Sequence, residues 1–574
     1  MEAFYKASMR TLICKIGIIA LVSLGAFCSL QGSDHSSQAL PHYSGQILFL
    51  LQQGEHEKAL KLYQNQFQAN GPHDFELLHQ IGLRILDFGF RQHDPECQLL
   101  ALFGASVSAH EDAYYILEES LKSPYPAIQL VALEALARFQ NDRADQAMMR
   151  ALGSSLLEVR YEAAHHLCKK KHPLAVSQTE SLMYKTPKAY MALYPPLFAL
   201  VGDSHATRIL RKLLNQPSQK VRLAVILSIA KSQRDDLLPQ IRQQASQFHF
   251  ALQEACAYTL GILKDEESIP KLKKLALSQY PTVALAAHLA LYRLGQEDSI
   301  KAIEQAAQKE DPFAIVALGS IPDHSQVLLE LLKKPNLQIR LNALMALLEQ
   351  HHPRACERIS EIFIRDKRDL AFTLQQSPGH TLKAWKVTSS ASQLLKDDLK
   401  AYLEHLELKE TLLDKLYALS PSEFIALAHQ IFLKQQNDLV PHIVELLENL
   451  GTAEAIACLK QHQQQLGAPL VRHYCNLALY RLQEPGPYAE QLCQWVKTQS
   501  QTQLIRFQPF SPWELGENSY KLTPEETSKL LIEAFETFAA QQDPQGIEIL
   551  IEAIATGHAK NKYALAGLLL RATQ

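Results

Sequence analysis

The sequence lacks the charge imbalance that is typical of proteins binding nucleic acid. Its 57 basic side chains face 60 acidic ones, giving a net charge of -3, and the isoelectric point is near 6.8. The densest basic run, Lys169 to Lys171, follows a helical stretch, where cations interact favourably with the helix dipole. A protein that grips a duplex is expected to carry a basic stripe. We therefore expect no nucleic-acid partner.

Paired cysteines and catalytic signatures are also missing. None of the nine cysteines forms a CxxC pair, so neither a disulfide framework nor a zinc knuckle is expected. No Walker loop, GxGxxG, HExxH or GxSxG is present. The densest histidine cluster consists of His165, His166, Cys168 and His172. It has no acidic ligand that would complete a metal site, and we interpret these residues as packing on a helix. The sequence thus predicts no catalytic residue, cofactor, metal or small-molecule substrate.

What the sequence does have is one phrase that recurs between about Leu121 and Gly295. Each copy is a turn with proline or small polar residues, an apolar residue, then arginine or glutamine, with small residues three and six places later. The copies follow a grid of 31 residues, at positions Gln129, Arg160, Met191, Arg222, Gln253 and Ala284. A unit of this length holds two helices and two short turns. The pattern predicts an all-α fold, an α-solenoid of stacked helical hairpins.

Small and large apolar residues alternate within these copies. The large residues are expected to fill a continuous core, and the small ones to let neighbouring helices approach closely. Two cysteines, Cys256 and Cys475, stand where the repeat has a small residue and are interpreted as alanine substitutes. The other small positions are Ala132, Ala163, Ala287, Ala343 and Ala346, and the large ones are Leu136, Leu260, Leu291 and Leu347.

The pattern "VR..A...AL", as in Val159, Arg160, Ala163 and Leu167, resembles the HEAT repeat, in particular the short bacterial variety named after the phycobilisome lyases. The resemblance covers about residues 121 to 347 and returns near Arg472. It implies a bacterial protein with a right-handed α-solenoid, whose concave surface binds a protein partner. The family name also suggests a bilin lyase as the enzymatic alternative, although no chromophore-handling residue can be matched.

One feature of the family is mostly absent, the aspartate of the turn that ties repeats to the arginine. Glu158 precedes Arg160, and Lys220 precedes Arg222. The repeat arginines are therefore expected to face solvent or the concave groove, which makes them candidate partner-binding residues: Arg160, Arg222, Arg340 and Arg472.

Residues 1–32 are predicted to be a targeting segment. Basic residues such as Arg10 and Lys15 precede an apolar run from Ile16 to Phe27. This run is short for a membrane span, which needs roughly 20 residues, and suits a signal peptide. A cleaved signal, an uncleaved anchor and a lipidated Cys28 all remain open. The sequence predicts an exported or membrane-associated protein, in the cell envelope or periplasm if bacterial, that meets the membrane through this segment only.

Residues 33–120 are predicted to form a helical N-terminal cap. Its first two helices turn at Gly54 and, with Ala59, Leu60 and Tyr63, resemble a tetratricopeptide hairpin. The solenoid proper follows over 121–376. Solenoids need such caps because the first repeat exposes a core face.

The remaining chain is divided by two irregular stretches. Residues 377–393 are predicted to be an inserted loop, whose Trp385 either anchors a partner or pins the loop to the body. Helical repeats continue over 394–483. Residues 484–522 form an irregular aromatic segment with Phe507, Phe510 and Trp513, which either docks a peptide or caps the solenoid. A C-terminal helical cap, 523–574, begins with a capping box from Thr523 to Glu526.

These observations favour a non-catalytic scaffold that presents a solenoid surface to a protein partner. The rival hypothesis is a repeat-built enzyme or enzyme-modifying factor of the bilin-lyase-like type, which would need a polar, partly buried cluster in the groove.

Overall fold

The computed structural model describes residues 42–70, 72–139, 141–364, 370–389, 392–465, 467–505 and 521–574. Within these ranges the chain is helical apart from short connections and one two-stranded sheet, which confirms the all-α fold. The targeting segment and the aromatic residues Phe507, Phe510 and Trp513 lie outside the described residues. Among the described helices, none combines the length and apolar character required to cross a membrane.

The chain divides into two compact units. Unit 1 joins the residues up to Ala147 with residues Ile431–Gln574, and unit 2 is Met148–Gln430. The helices of unit 1 are α1 His42–Gln52, α2 His56–Asn70, α3 Phe75–Phe90, α4 Pro95–Ser108, α5 Tyr114–Ser120, α6 Pro126–Leu136, α25 Val440–Leu450, α26 Ala453–Gln463, α27 Pro469–Arg481, α28 Tyr488–Ser500, α29 Pro524–Gln541, α30 Pro544–Thr556 and α31 Asn561–Arg571.

Unit 2 contains the longest uninterrupted run of repeats. Its boundaries fall inside α7 (Asp142–Ala151) and α24 (Pro421–Leu433). Between them lie α8 Leu157–Lys169, α9 Ala175–Lys185, α10 Pro195–Val201, α11 Ser204–Leu214, α12 Gln219–Lys231, α13 Leu238–Gln244, α14 Phe250–Ile262, α15 Ile269–Leu275, α16 Pro281–Arg293, α17 Ser299–Gln308, α18 Pro312–Gly319, α19 Ser325–Leu331, α20 Leu337–Glu349, α21 Cys356–Ile364, β1 Ala371–Gln376, β2 Lys383–Thr388, α22 Ser392–Asp397 and α23 Leu399–Leu419.

From α8 to α20, every second helix of unit 2 takes the place of one repeat in the row, and we name these the anchor helices: α8, α10, α12, α14, α16, α18 and α20. Each packs against the next anchor helix, so that they form one continuous row. Four successive anchor helices begin at Gln219, Phe250, Pro281 and Pro312, which confirms the spacing of 31 residues. One anchor helix is shortened: α18 has 8 residues where its neighbours have 13.

One copy of the phrase departs from the grid. Met191 was expected to mark an anchor helix, but it lies in a 3-10 turn, Lys188–Leu193, and α10 begins only at Pro195. Prolines fit the first turn of a helix and not its interior. Pro195 and its neighbour therefore set the start of this helix later than the grid predicts.

Small residues allow the anchor helices to approach closely, as the sequence predicts. A side-chain carbon added to Gly261 would lie 2.6 Å from the Cα atom of Ala290, and one added to Gly319 would lie 2.9 Å from that of Ala346. Cys256 is fully buried, and its burial raises the pKa of the thiol. These contacts show backbones in near contact, with no room for larger residues.

In unit 1 the first and last helices of the described chain pack on one another. Helix α31 lies against α3 and α4, and α30 lies against α2. Glycines make this packing possible: a carbon added to Gly567 would lie 2.1 Å from the carbonyl oxygen of Gly104. The side chain of Gln574 donates to the carbonyl of Ser108 at 2.8 Å, and Lys560 pairs with Glu96 at 2.7 Å. The segments assigned to separate caps thus share one core.

Two predictions about irregular stretches are wrong in part. Residues 377–393 are not simply a loop, because β2 and the start of α22 lie within them, and β1 precedes them. The segment 484–522 includes α28, whose Leu492, Cys493 and Val496 are buried at helical spacing. Proline and glycine before Tyr488 suggested a longer break than the single turn that exists. The capping box from Thr523 to Glu526 is confirmed.

Candidate functional site

The most distinctive feature of unit 2 is the β-hairpin, β1 and β2, which is held against the anchor helices. Its strands pair antiparallel, with Leu374 opposite Trp385 and Phe372 opposite Val387. β2 packs on α18 and α20, and β1 packs on α23. A two-stranded hairpin is marginally stable by itself, so its stability depends on what surrounds it. Three sets of polar contacts hold the hairpin in place: one at its tip and one along each outer edge.

The tip of the hairpin is bound by one carboxylate of α14. Glu254 is fully buried and accepts three hydrogen bonds: from the Ser377 hydroxyl at 2.5 Å, the Gly379 amide at 3.0 Å and the Thr381 hydroxyl at 2.6 Å. A side chain on Gly379 would lie 2.8 Å from the backbone oxygen of Ala251. The tip therefore sits directly on the backbone of α14, and glycine is required there.

The outer edge of β2 is paired by side chains of α20. The amide group of Asn342, which is fully buried, bonds both backbone groups of Trp385: its Nδ2 donates to the carbonyl and its Oδ1 accepts from the N–H, each at 2.8 Å. The Val387 N–H donates to Oε1 of Gln338 at 3.3 Å. These side chains satisfy backbone groups that a neighbouring strand would otherwise satisfy.

The outer edge of β1 is paired by side chains of α23. The Phe372 N–H donates to Nδ1 of His405 at 3.3 Å, and the Leu374 N–H donates to Glu404 at 2.9 Å. The imidazole of His405 also stacks on the ring of Phe372, with centroids 5.1 Å apart. Burial, reinforced by the charge of Lys409, lowers the pKa of His405 to about 3. The imidazole is therefore neutral at physiological pH and able to accept the bond.

Chemically, this arrangement recognises extended polypeptide. The contacts along β2 go to backbone groups, which every residue except proline offers in full. The contacts at the tip require a turn with hydroxyl groups. Recognition of main-chain groups, with a few pockets for side chains, is how proteins bind extended peptides.

All four candidate arginines lie near the start of a helix, and two of them bond to groups in or beside a turn. In Arg340, Nη1 donates to the carbonyls of Lys334 and Pro335 at 2.8 and 2.9 Å, and Arg222 donates to the side chains of Gln244 and Gln247. All four candidates are half-buried. The bonds of Arg222 and Arg340 stabilise turns of the repeat, whereas the sequence had suggested that these arginines face solvent or a groove.

The other two arginines differ from this pair. In Arg160, Nε is buried with no hydrogen-bond partner among the described residues. In unit 1, Nη2 of Arg472 lies 3.3 Å from Nε2 of His473. None of the hydrogen bonds described above between the hairpin and its surroundings is made by a repeat arginine.

Ion pairs between successive hairpins do exist, at positions that the repeat pattern does not mark. Arg242 on α13 donates to Asp265, which precedes α15, at 2.7 Å. Arg234 pairs with Asp236 and also donates to Thr207 on α11. These bonds replace the aspartate-to-arginine ties that the sequence lacks at its turns.

Of the sequence candidates, only Trp385 belongs to this hairpin. Its backbone is fixed by Asn342, and its side chain is half-buried. The functional residues that sequence reasoning missed are Glu254, Asn342 and His405. One signal was available: Glu254 directly follows the anchor residue, a position occupied by Leu223, Leu285 and Leu341 in other copies. Glu254 therefore stands out as a charged residue at a repeat position that is apolar in these other copies.

Among the residues that the structure describes, two groups of histidine and acidic side chains have possible metal-ligand atoms within 4.8 Å of one another. In unit 2, Glu162 lies 3.2 Å from Nδ1 of His165 and is near His166, so an acidic neighbour that the sequence analysis did not find does exist. Cys168 is not part of this group, because its thiol is bonded to Thr179 and burial raises the pKa of that thiol to about 11.

The second group lies in unit 1. Nε2 of His79 is 2.9 Å from the carboxylate of Asp112, and the ring of His110 packs against that of His79. Nδ1 of His110 accepts the Asp112 N–H. These contacts account for the group as a hydrogen bond and a helix cap, with Asp112 largely exposed.

Comparison with known proteins gives one family match. The family model for HEAT repeats matches residues 207–291, which run from α11 to α16. No curated protein matches the sequence. The matched part of the chain is therefore similar to HEAT repeats.

Comparison with solved structures gave matches at low identity. A structure of Kap95p binding RanGDP is 12% identical, with 91% of this chain and 78% of that chain covered and a TM-score of 0.32. Importin beta is 10% identical, with the same coverage and a TM-score of 0.32. The CpcE and CpcF complex of phycocyanin lyase from Nostoc sp. PCC7120 is 18% identical over 50% of this chain and 94% of that chain, with a TM-score of 0.18. At these TM-scores no function follows from the likeness.

Proposed function

We propose that this chain is a non-catalytic scaffold whose row of anchor helices in unit 2 binds extended segments of a protein partner. The observation that carries this proposal is the hairpin: the row already holds a polypeptide strand through Asn342 and Gln338, and a turn through Glu254. A surface with these groups has the chemistry to hold other segments of similar shape. The repeat arginines and the aromatic residues Phe507, Phe510 and Trp513 are proposed as additional partner contacts.

The proposal includes the location inferred from the sequence. Residues 1–32 would export the chain or hold it at a membrane, and the partner would then be another exported or membrane-associated protein. Fractionation of cells that produce the full chain, or a version lacking residues 1–32, tests this part separately. We expect the full chain in the envelope fraction, and an unchanged distribution of the shortened chain would contradict it.

The binding surface is tested by photo-crosslinking in native cells. A crosslinking residue is placed at half-buried row positions, Leu227 and Tyr258, and, for comparison, at exposed positions on intervening helices, Arg211 and Lys274. A partner captured from the row is then purified and titrated against the full chain. We expect an affinity in the micromolar range or tighter that falls at least tenfold in the double variant Leu227→Ala, Tyr258→Ala, whose side chains belong to the row and not to the hydrogen bonds with the hairpin. Equal crosslinking from both sets of positions would mean that the row is not the binding surface.

A further inference from the structure

The hydrogen bonds that hold the hairpin on the row require a glycine and two hydroxyl residues at the tip, and no particular side chain along β2. Asn342 and Gln338 bond backbone groups of β2, and Glu254 bonds one amide and two hydroxyls. One buried aromatic residue of the hairpin, Phe372, stacks on His405 of α23, which is not an anchor helix. Another extended segment with a serine- or threonine-containing turn could make the same bonds to the row.

The covered part of the row is built from groups that water can also satisfy. A carboxylate that is buried permanently is costly unless its charge is compensated, yet the three donors to Glu254 described above are neutral groups. If the hairpin leaves, Glu254, Asn342 and Gln338 all regain water as a partner. An interface that never opens is expected to be mainly apolar, like the contacts between the anchor helices themselves.

We propose that the hairpin is a built-in occupant of the partner-binding row, and that a partner binds by displacing it. The partner would offer an extended strand in place of β2 and a hydroxyl-bearing turn in place of residues 377–382. This inference rests on the proposed function, and it adds the chemistry of the partner and the regulation of the site.

A variant that loosens the hairpin without changing the row tests the proposal. In the double variant Ser377→Ala, Thr381→Ala of the full chain, Glu254 loses two of its three donors while every residue of the row is retained. The probe is a labelled synthetic peptide of residues 370–389. We expect the double variant to bind this peptide at least tenfold more tightly than the unmodified chain does. Adding Asn342→Ala to the double variant should abolish that gain.

Hydrogen exchange gives a second readout. In the double variant, amides of residues 370–389 should exchange at least tenfold faster, while those of α14 and α20 stay unchanged. If circular dichroism shows lost helicity, the single variant Thr381→Val, which removes one donor, is used for both measurements. Hairpin amides that exchange only at the rate of the anchor helices, or a released row that does not bind the peptide, would overturn the inference.

These results separate the inference from the proposed function. A partner that crosslinks to the row while the peptide never binds would mean that the hairpin is a fixed part of the fold and the partner uses the rest of the row. Peptide binding without any crosslinked partner would support displacement and would leave the scaffold proposal without its ligand.

Discussion

Substitution of Gly567 by alanine should loosen the packing of the first described helices against the last. Gly567 lies in α31, where its Cα faces Gly104 of α4. The added carbon would lie 2.1 Å from the Gly104 carbonyl oxygen and 2.6 Å from its Cα atom. Both are backbone atoms, so no rotamer change can relieve the clash. The two helices must move apart, and with them α3, which also packs on α31.

The size of the effect follows from two opposing terms. Alanine in a helix interior is more favourable than glycine by roughly 0.5–1 kcal/mol, because the unfolded chain loses less entropy. Overpacking of a close contact costs about 1–3 kcal/mol, and a clash with backbone falls at the upper end. We expect a net loss of about 2 kcal/mol, which corresponds to a change of about 30-fold in the opening equilibrium of this junction.

Hydrogen exchange by mass spectrometry measures this loss locally, which matters because the chain has two units. Amides of α4 and α31 should exchange about 30-fold faster in Gly567→Ala, and those of unit 2 should not change. The matched control is Gly45→Ala in α1, where the added carbon meets nothing within 4 Å and a gain of about 0.5–1 kcal/mol is expected. Unchanged exchange in α4 and α31 for Gly567→Ala would refute the reasoning.

Two further predictions concern the hairpin and the first turn. The pKa of His405 is about 3 in the folded chain against 6.5 ordinarily, so its contribution to stability is full above pH 6.5 and is lost as pH falls from 6.5 towards 3. Between pH 7 and pH 5 we expect a loss of about 2 kcal/mol, seen as faster exchange around Phe372 and removed from the pH profile by His405→Gln. Gly54 has φ +79°, and a carbon added there would lie 2.7 Å from the ring of Phe88. Gly54→Ala should cost about 1–2 kcal/mol for the backbone alone and more for the ring, measured by urea unfolding against Gly295→Ala, which has φ +78° and no neighbour within 4 Å.

The repeats could be predicted because their information is local. Arg222 and Gln253 stand in copies of one phrase, and each phrase contains the turn, the helix start and the small residues that its own helix needs. The helix starts at Gln219 and Phe250 follow directly. Met191 was placed wrongly because the prolines after it override the periodic pattern within one turn of helix.

The hairpin could not be predicted because its stability comes from residues far along the chain. Its strands have six residues each and alternate too weakly to stand out from a polar loop. Glu254 precedes Ser377 by 123 residues, and Asn342 precedes Trp385 by 43. Nothing in the local sequence shows that a carboxylate and an amide on two anchor helices will bind this particular segment.

The packing of the first helices of unit 1 against the last ones could not be predicted from the sequence for a similar reason. Glycines inside helices, such as Gly82, Gly104 and Gly567, weaken the helix and therefore indicate a close approach by another backbone. The sequence does not show which backbone approaches. A carbon added to Gly567 would meet the backbone of Gly104, and one added to Gly104 would lie 2.4 Å from the carbonyl oxygen of Tyr563. Both glycines are thus explained by the contact between α4 and α31, which are separated by most of the chain.

Departures from the repeat are therefore the best guide to what this chain does. The position after the anchor residue is Tyr161 in α8, Leu223 in α12 and Leu341 in α20, all suited to packing, and it is Glu254 only in the anchor helix that meets the hairpin tip. A carboxylate there weakens the core that stacking requires, so the repeat fold by itself does not explain it. Since natural sequences break their own local rules mainly at functional sites, the residue is best explained by the segment that it binds.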